Sequence, residues 1–149
     1  MKLFMFLTFL VAFTTAEWTL ISHDEWLKAW ENCNNQFSLP FDLRPKTLQD
    51  KYPPKIVFEN VLCYFKGLEI WNDKDGFLVD RIMIGLENVA KKIENYNAKL
   101  LREGLKSCTD QNSEKCSTLD AAYSCFKCFI DNKYLYESMG KADFYKNDE

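Results

Sequence analysis

The sequence predicts an all-α fold of about six amphipathic helices cross-linked by disulfides. Apolar side chains recur every three or four residues along most of the chain, which is the spacing of one helix face. No useful length of sequence alternates between apolar and polar residues, as a half-buried strand would. All six cysteines follow residue 16 of a 149-residue chain, and an even number of cysteines in a small secreted domain indicates a disulfide framework.

Residues 1–16 have the pattern of a secretory signal peptide. Lys2 supplies a positive charge, the stretch Leu3–Phe13 is apolar apart from one threonine, and Ala16 is a small residue at a position that signal peptidase reads. The stretch is too short to span a membrane. We therefore expect a secreted, extracellular protein in which residues 17–149 form one helical domain.

Helical periodicity describes the first half of this domain. The first predicted helix, His23–Phe37, is followed by a short helix over Lys46–Tyr52. Pro53 and the proline after it stop that helix and begin the next, which is predicted to run to about Trp71. A polar turn then covers Asn72–Gly76. The face assigned to the first helix consists of Trp26, Trp30, Cys33 and Phe37.

The second half continues with the same spacing. A fourth helix is predicted within Leu78–Ile93 and a fifth from Tyr96 through Leu105, followed by a polar loop over Thr109–Lys115. Ser117 and Asp120 resemble a capping box at the start of the last helix. The core face predicted for this last helix is Leu119, Ala122, Tyr123, Phe126, Phe129 and Ile130.

The sequence lacks the residue combinations of common catalytic and metal sites. His23 is the only histidine, whereas ribonuclease chemistry would require two. The segment Trp71–Gly76 lacks the first and last ligands of an EF-hand calcium loop. Cys125 and Cys128 form a Cys-x-x-Cys pair, but no strand precedes it, and one such pair beside one histidine disfavours zinc. We therefore expect no enzyme activity, no cofactor and no metal.

The charge of the chain narrows the class of partner. The formal net charge is −3, and basic residues do not cluster along the sequence. A mildly acidic chain of this kind is a poor candidate for binding nucleic acid or an anionic membrane surface.

The cysteine spacing resembles that of a known family. Twenty-nine residues separate Cys33 from Cys63, and eight separate Cys116 from Cys125. This spacing resembles the insect odorant-binding (pheromone-binding) protein superfamily, whose last two cysteines are also eight residues apart. The resemblance implies an odorant-binding-protein-like helical fold over nearly the whole of residues 17–149.

Local sequence is closest to one branch of that superfamily. Cys63–Gly67, Asn72–Gly76 and the segment from Lys127 to Asn132 resemble the odorant-binding-like salivary proteins of blood-feeding flies. Mosquito D7 proteins and the small salivary proteins of sand flies are examples. These motifs are spacings rather than catalytic signatures, so the resemblance specifies a fold better than a ligand.

The resemblance also implies a disulfide pairing. The family joins its second cysteine to its fifth, which here implies a Cys63–Cys116 bridge. Its bridge between the fourth and sixth cysteines implies that Cys108 pairs with Cys125 by spacing, or with Cys128 by local sequence.

The chain departs from the family at one cysteine. The position of the usual third cysteine holds Gly67, which leaves Cys33 without its family partner, while Cys128 is surplus. We expect Cys33 to pair with whichever of Cys125 and Cys128 is not joined to Cys108. Gly67 is expected to let the first and last helices approach closely, because it has no side chain.

Aromatic residues are the candidate ligand contacts. They make up 15% of the chain and lie mostly on predicted core faces. The resemblance implies biogenic amines or lipid mediators as ligands, and an amine would require a carboxylate beside aromatic rings. Asp120, one helical turn from Tyr123, could supply the carboxylate or could cap the helix. The candidate set is Trp30, Phe58, Phe65, Tyr96, Asp120, Tyr123 and Phe126.

These observations favour a secreted binding protein that carries or sequesters a small hydrophobic or aromatic ligand. An odorant, a biogenic amine or a lipid mediator would fit, and a salivary scavenger acting against host haemostasis is one form of this function. The alternative is a salivary effector that binds a host protein and has lost the ligand pocket.

Overall fold

The computed structural model describes residues 17–37, 52–111 and 115–146, and within them it is almost entirely helical. The signal peptide predicted for residues 1–16 and nearly all of the short helix predicted for Lys46–Tyr52 lie outside the described residues. No helix in the described part is long and apolar enough to cross a bilayer. The helices are α1 (His23–Gln36), α2 (Lys55–Gly67), α3 (Val79–Asn88), α4 (Ala98–Asp110), α5 (Leu119–Asp131) and α6 (Lys133–Met139). The all-α prediction is therefore confirmed.

Helix α1 begins where the sequence predicts, because a local motif fixes its start. The Ser22 hydroxyl accepts a hydrogen bond from the Glu25 backbone N–H, and the Glu25 carboxylate accepts one from the Ser22 backbone N–H. The helix packs chiefly against α2 and buries Cys33. Trp30 is 52% exposed, so the prediction of a core position for this residue is wrong. The partner helix covers only one side of α1, and Trp30 lies outside that contact.

Helix α2 ends at Gly67, four residues before the predicted end. The chain reverses there because Glu69 adopts a positive φ of 57°, and the Ile70 N–H donates to the Phe65 carbonyl. Leu68 and Ile70 are fully buried although they lie outside the helix. Their apolar character extends the helical pattern in the sequence beyond the point where the backbone leaves the helix.

The polar turn predicted after α2 is the tip of a short hairpin. Strands β1 (Trp71–Asn72) and β2 (Gly76–Phe77) pair antiparallel, with Trp71 opposite Phe77. The Asn72 side-chain oxygen accepts hydrogen bonds from the Lys74 and Asp75 backbone N–H groups in the turn. The Trp71 indole N–H donates to the Cys116 carbonyl at 2.8 Å, and this bond fixes the hairpin to the turn before α5.

The remaining helices agree with the predicted order but differ at their ends. The fourth predicted helix divides into α3 and a 3₁₀ turn over Ala90–Lys92. The capping box of Ser117 and Asp120 is wrong: Thr118 is the N-cap, and its hydroxyl accepts from the Ala121 N–H. Helix α6 has no counterpart in the prediction. It begins after a cap in which the Asn132 side chain accepts from the Leu135 N–H.

The core lies between α2, α3, α4 and α5 and extends to both ends of the described chain. Phe144 is buried against Gly85 of α3. Tyr145 pairs with Ile21 in an isolated parallel β-bridge, and the Lys146 backbone N–H donates to the Ile21 carbonyl at 2.8 Å. The largest fully buried side chains are Phe58, Phe129, Leu68, Ile70, Ile82, Met83, Leu86, Leu101, Leu105 and Leu135.

All six cysteines are paired. One disulfide joins Cys33 to Cys63 and is termed here the α1–α2 bridge. A second, the outer bridge, joins Cys108 to Cys128, and a third, the inner bridge, joins Cys116 to Cys125. Their Cα–Cα separations are 5.8, 5.6 and 6.1 Å, within the range that a disulfide spans.

Two of the expected pairings are therefore wrong. Cys63 does not pair with Cys116, and Cys33 pairs with neither cysteine of α5. Helices α1 and α2 run in opposite directions, so that Cys33 faces Cys63 directly. The alternative that pairs Cys108 with the last cysteine is confirmed.

Gly67 does permit a close helix approach, but between α1 and α2 rather than between the first and last helices. A Cβ atom at position 67 would lie 2.8 Å from the Ala29 Cβ, closer than such atoms pack. The Gly67 backbone thus lies directly on α1, next to the α1–α2 bridge.

We expect peptide mapping without reduction to recover the three observed bridges. Trypsin cleaves after Lys115 and Lys127, so the inner bridge should close within a single peptide. The outer bridge and the α1–α2 bridge should each join two separate peptides. A fragment that joins Cys63 to Cys116 would contradict the observed pairing and restore the family pattern.

We expect Gly67→Ala to lower the free energy of unfolding by about 1 kcal/mol. The added methyl overpacks the contact with Ala29, and this cost exceeds the gain in helix propensity. Gly140→Ala is the matched control, because a Cβ there would lie 3.5 Å from its nearest neighbour, the Tyr136 carbonyl oxygen. Urea unfolding of both variants tests the difference, and equal stabilities would show that α1 and α2 can separate at no cost.

Candidate ligand-binding site

Four of the predicted ligand contacts lie together between α2 and α5. The Phe58 ring centroid lies 5.0 Å from that of Tyr123 and 5.1 Å from that of Phe126. Phe65, two turns along α2 from Phe58, lies 6.1 Å from Phe126. These distances are typical of packed aromatic pairs. The four side chains, predicted to lie on the core faces of two helices, thus meet between those helices, and their role as ligand contacts stays a prediction.

Two further rings extend this group toward the hairpin. Phe77 of β2 lies 6.0 Å from Phe65 and 5.1 Å from Phe129 of α5, in both cases edge to face. Phe77 was not predicted as a contact, because its place in the sequence gives no helical spacing. We call the six rings together the aromatic cluster: Phe58, Phe65, Phe77, Tyr123, Phe126 and Phe129.

The aromatic cluster has a buried base and a partly open side. Phe58, Phe77 and Phe129 are buried. Phe65, Tyr123 and Phe126 are only partly buried and pack against the core from outside. These last three rings therefore expose part of their apolar surface, while the buried rings hold them in position.

A polar rim borders the aromatic cluster, where the segment before α2 meets side chains of α5. The Tyr123 hydroxyl donates to the Pro53 carbonyl at 2.6 Å. The Tyr52 hydroxyl donates to the Asp131 carboxylate at 2.7 Å. Lys127 lies between the two tyrosines, with its ammonium 4.7 Å from the Tyr123 ring centroid and 5.9 Å from that of Tyr52.

Asp120 lies at the outer end of this rim rather than inside it. Its side chain is exposed and forms an ion pair with Lys55 at the start of α2. The hydrogen bond from Lys55 to Asp120 raises the pKa of the lysine. Asp120 is therefore a surface residue with a cationic partner, although it lies one helical turn from Tyr123.

The other two predicted contacts lie elsewhere. Trp30 is exposed on α1. Tyr96 precedes α4 and lies near Glu87 and Tyr134, where burial raises the pKa of its hydroxyl group. Its hydroxyl oxygen is buried without a hydrogen-bond partner in the described part of the protein.

A cleft opens at the surface beside the hairpin. It has a volume of about 590 Å³, which falls within the range of small-ligand sites. Its apolar wall includes Leu62, Trp71 and Leu119, and the ion pair between Lys66 and Asp73 lies at its edge. Apolar and ionic groups thus line the same space.

The cysteines of the Cys-x-x-Cys pair do not form a redox-active bond with each other. Cys125 belongs to the inner bridge and Cys128 to the outer bridge. Within the described ranges, no group of three or more histidine, cysteine, aspartate or glutamate side chains is placed to hold a metal ion.

The comparisons with known proteins agree with the cysteine spacing and the helical fold. The family model described as PBP/GOBP matches residues 15–132, a range that includes α1 through α5. The chain is also 24% identical over 136 residues to odorant-binding protein 22 of Aedes aegypti, and the match covers 89% of this chain and 91% of that protein. Because the family model covers well over half of the sequence, including the helices that build the aromatic cluster, the chain belongs to the PBP/GOBP family.

Proposed function

We propose that this protein binds a small apolar or aromatic ligand against the aromatic cluster and carries or sequesters it outside the cell. The observation that carries the proposal is the arrangement of rings. Three partly buried rings, Phe65, Tyr123 and Phe126, rest on buried ones and offer contact surface at the edge of the core. Aromatic surface of this kind favours apolar ligands with a flat or extended shape.

The family supports the same function. PBP/GOBP proteins are binding proteins rather than enzymes, and the relative from Aedes aegypti is named as an odorant-binding protein. Odorant-binding proteins of this family are secreted. Six cysteines in three disulfides are also typical of an oxidising, extracellular setting.

The ligand would belong to one of the classes that the resemblance implies. An odorant, a biogenic amine and a lipid mediator each combine an apolar body with few polar atoms. Sequestering a host mediator would suit a salivary protein that acts against haemostasis, whereas carrying an odorant would suit a sensory organ. The disulfides support either role because they can hold the helices in place around a partly open apolar surface.

A second function, binding of a host protein, is favoured by one observation. Trp30 lies on the outer side of α1 with 52% of its surface exposed. Exposed tryptophans often anchor protein–protein interfaces, because burial of the large ring contributes much of the binding energy. In this alternative the aromatic cluster serves only as core.

We expect the secreted protein to bind a neutral fluorescent naphthyl probe, and Phe126→Leu to weaken the binding about tenfold. Leucine keeps the site apolar but removes ring contacts with both Phe58 and Phe65. Trp30→Leu is the matched control and should leave the affinity unchanged. Fluorescence titration measures the affinities, and thermal unfolding of each variant verifies that it is folded.

The same titrations separate the two functions. If the probe does not bind, or if Phe126→Leu binds as tightly as the wild type, the aromatic cluster is not the ligand site. Loss of activity in a clotting assay with Trp30→Leu, but not with Phe126→Leu, would instead favour the host-protein effector.

A further inference from the structure

The ammonium group of Lys127 lies against two aromatic rings at the rim of the aromatic cluster. It lies over the Tyr123 ring at 4.7 Å and faces the Tyr52 ring at 5.9 Å. Both distances are within the range in which a cation is attracted to an aromatic face. The aromatic cluster therefore already has a cation at its edge, supplied by the chain itself.

The nearby carboxylates also have partners. Asp120 forms an ion pair with Lys55, and Asp131 accepts the hydrogen bond of the Tyr52 hydroxyl. A ligand ammonium would need a ring face and a carboxylate to replace its lost hydration. At the rim, the Lys127 ammonium already occupies the Tyr123 ring face, and the Lys55 ammonium is already paired with the Asp120 carboxylate.

We propose that Lys127 is a specificity-determining residue, which makes the aromatic cluster select neutral or anionic apolar ligands over cationic ones. This inference rests on the proposed function. A ligand ammonium at the rim would be repelled by the Lys127 ammonium, whereas a hydroxyl would not be and a carboxylate would be attracted. Tyr123 and Lys127 are both partly buried, so water screens this repulsion less than it would between fully exposed charges.

Three ligands with one apolar chain and different head groups test the proposal: dodecanol, dodecylammonium and dodecanoate. Each is titrated below its micelle concentration, at neutral pH and low salt, by displacement of the naphthyl probe. We expect wild-type protein to bind dodecanol about tenfold more tightly than dodecylammonium. Dodecanoate should bind at least as tightly as dodecanol.

Substitution at Lys127 should change this order, which is read within each variant as the ratio of the dodecylammonium and dodecanoate affinities to the dodecanol affinity. Lys127→Gln removes the charge, so it should bring dodecylammonium to within about threefold of dodecanol and remove the preference for dodecanoate. Lys127→Arg keeps the charge and should keep the wild-type order. Lys133→Gln is the matched control, since Lys133 is an exposed residue of α6 that forms an ion pair with Glu137.

The outcomes distinguish this inference from the proposed function. If dodecanol binds the wild type but Lys127→Gln leaves the ratio of dodecylammonium to dodecanol affinities unchanged, Lys127 does not set the selectivity and the inference is wrong. Tighter binding of dodecylammonium than dodecanol by the wild type would also overturn it. If none of the three ligands displaces the probe from the wild type, the ligand site itself is wrong, and the inference with it.

Discussion

The two disulfides that end on α5 are the constraint on which the candidate site depends. Cys125 and Cys128 lie three residues apart, so both project from one side of the helix. The inner bridge ties that side to the turn before α5, and the outer bridge ties it to α4. The rotation of α5 about its axis is thereby fixed. Its neighbouring side, with Tyr123, Phe126 and Phe129, is left facing α2 and the hairpin.

The hairpin depends on the same constraint. The indole N–H of Trp71 donates to the carbonyl of Cys116. Cys116 itself has an unusual backbone conformation, with a positive φ of 61°. A Cβ atom at Gly76 would overlap the carbonyl oxygen of Lys115, the residue before Cys116. The hairpin therefore fits closely on the turn that the inner bridge closes. Phe77 reaches the aromatic cluster because of this fit.

The sequence predicts those parts of the fold that are encoded by neighbouring residues. The helix predicted from His23 by apolar spacing does begin there, and the reciprocal hydrogen bonds of Ser22 and Glu25, three residues apart, account for that start. The end of α2 does not follow, because Leu68 and Ile70 are apolar for reasons of tertiary packing and prolong the helical spacing. The disulfide pairing depends on which helices lie side by side, and spacing along the chain does not contain that information.

The candidate site was predictable to the extent that it lies on helix faces. Phe58, Phe65, Tyr123 and Phe126 recur at helical spacing and meet in the structure. Trp30 recurs at the same spacing, but no helix of the described ranges buries its side of α1, and the ring is 52% exposed. Asp120 was assigned a ligand role because it is close to Tyr123 in sequence, yet the ion pair with Lys55 brings in a residue 65 positions away. Partners so remote in sequence become visible only when the fold is known.

The arrangement of the three bridges has a consequence for how the chain matures. The α1–α2 bridge closes before the first cysteine of the others, and the outer bridge encloses the inner one, so no bridge crosses another. The sequence separations are 30, 20 and 9 residues. In the interlocked arrangement that the family resemblance implies, an early cysteine must wait for a partner made much later. Here each segment can oxidise as a local unit in the order of synthesis, because every bridge joins cysteines at most 30 residues apart.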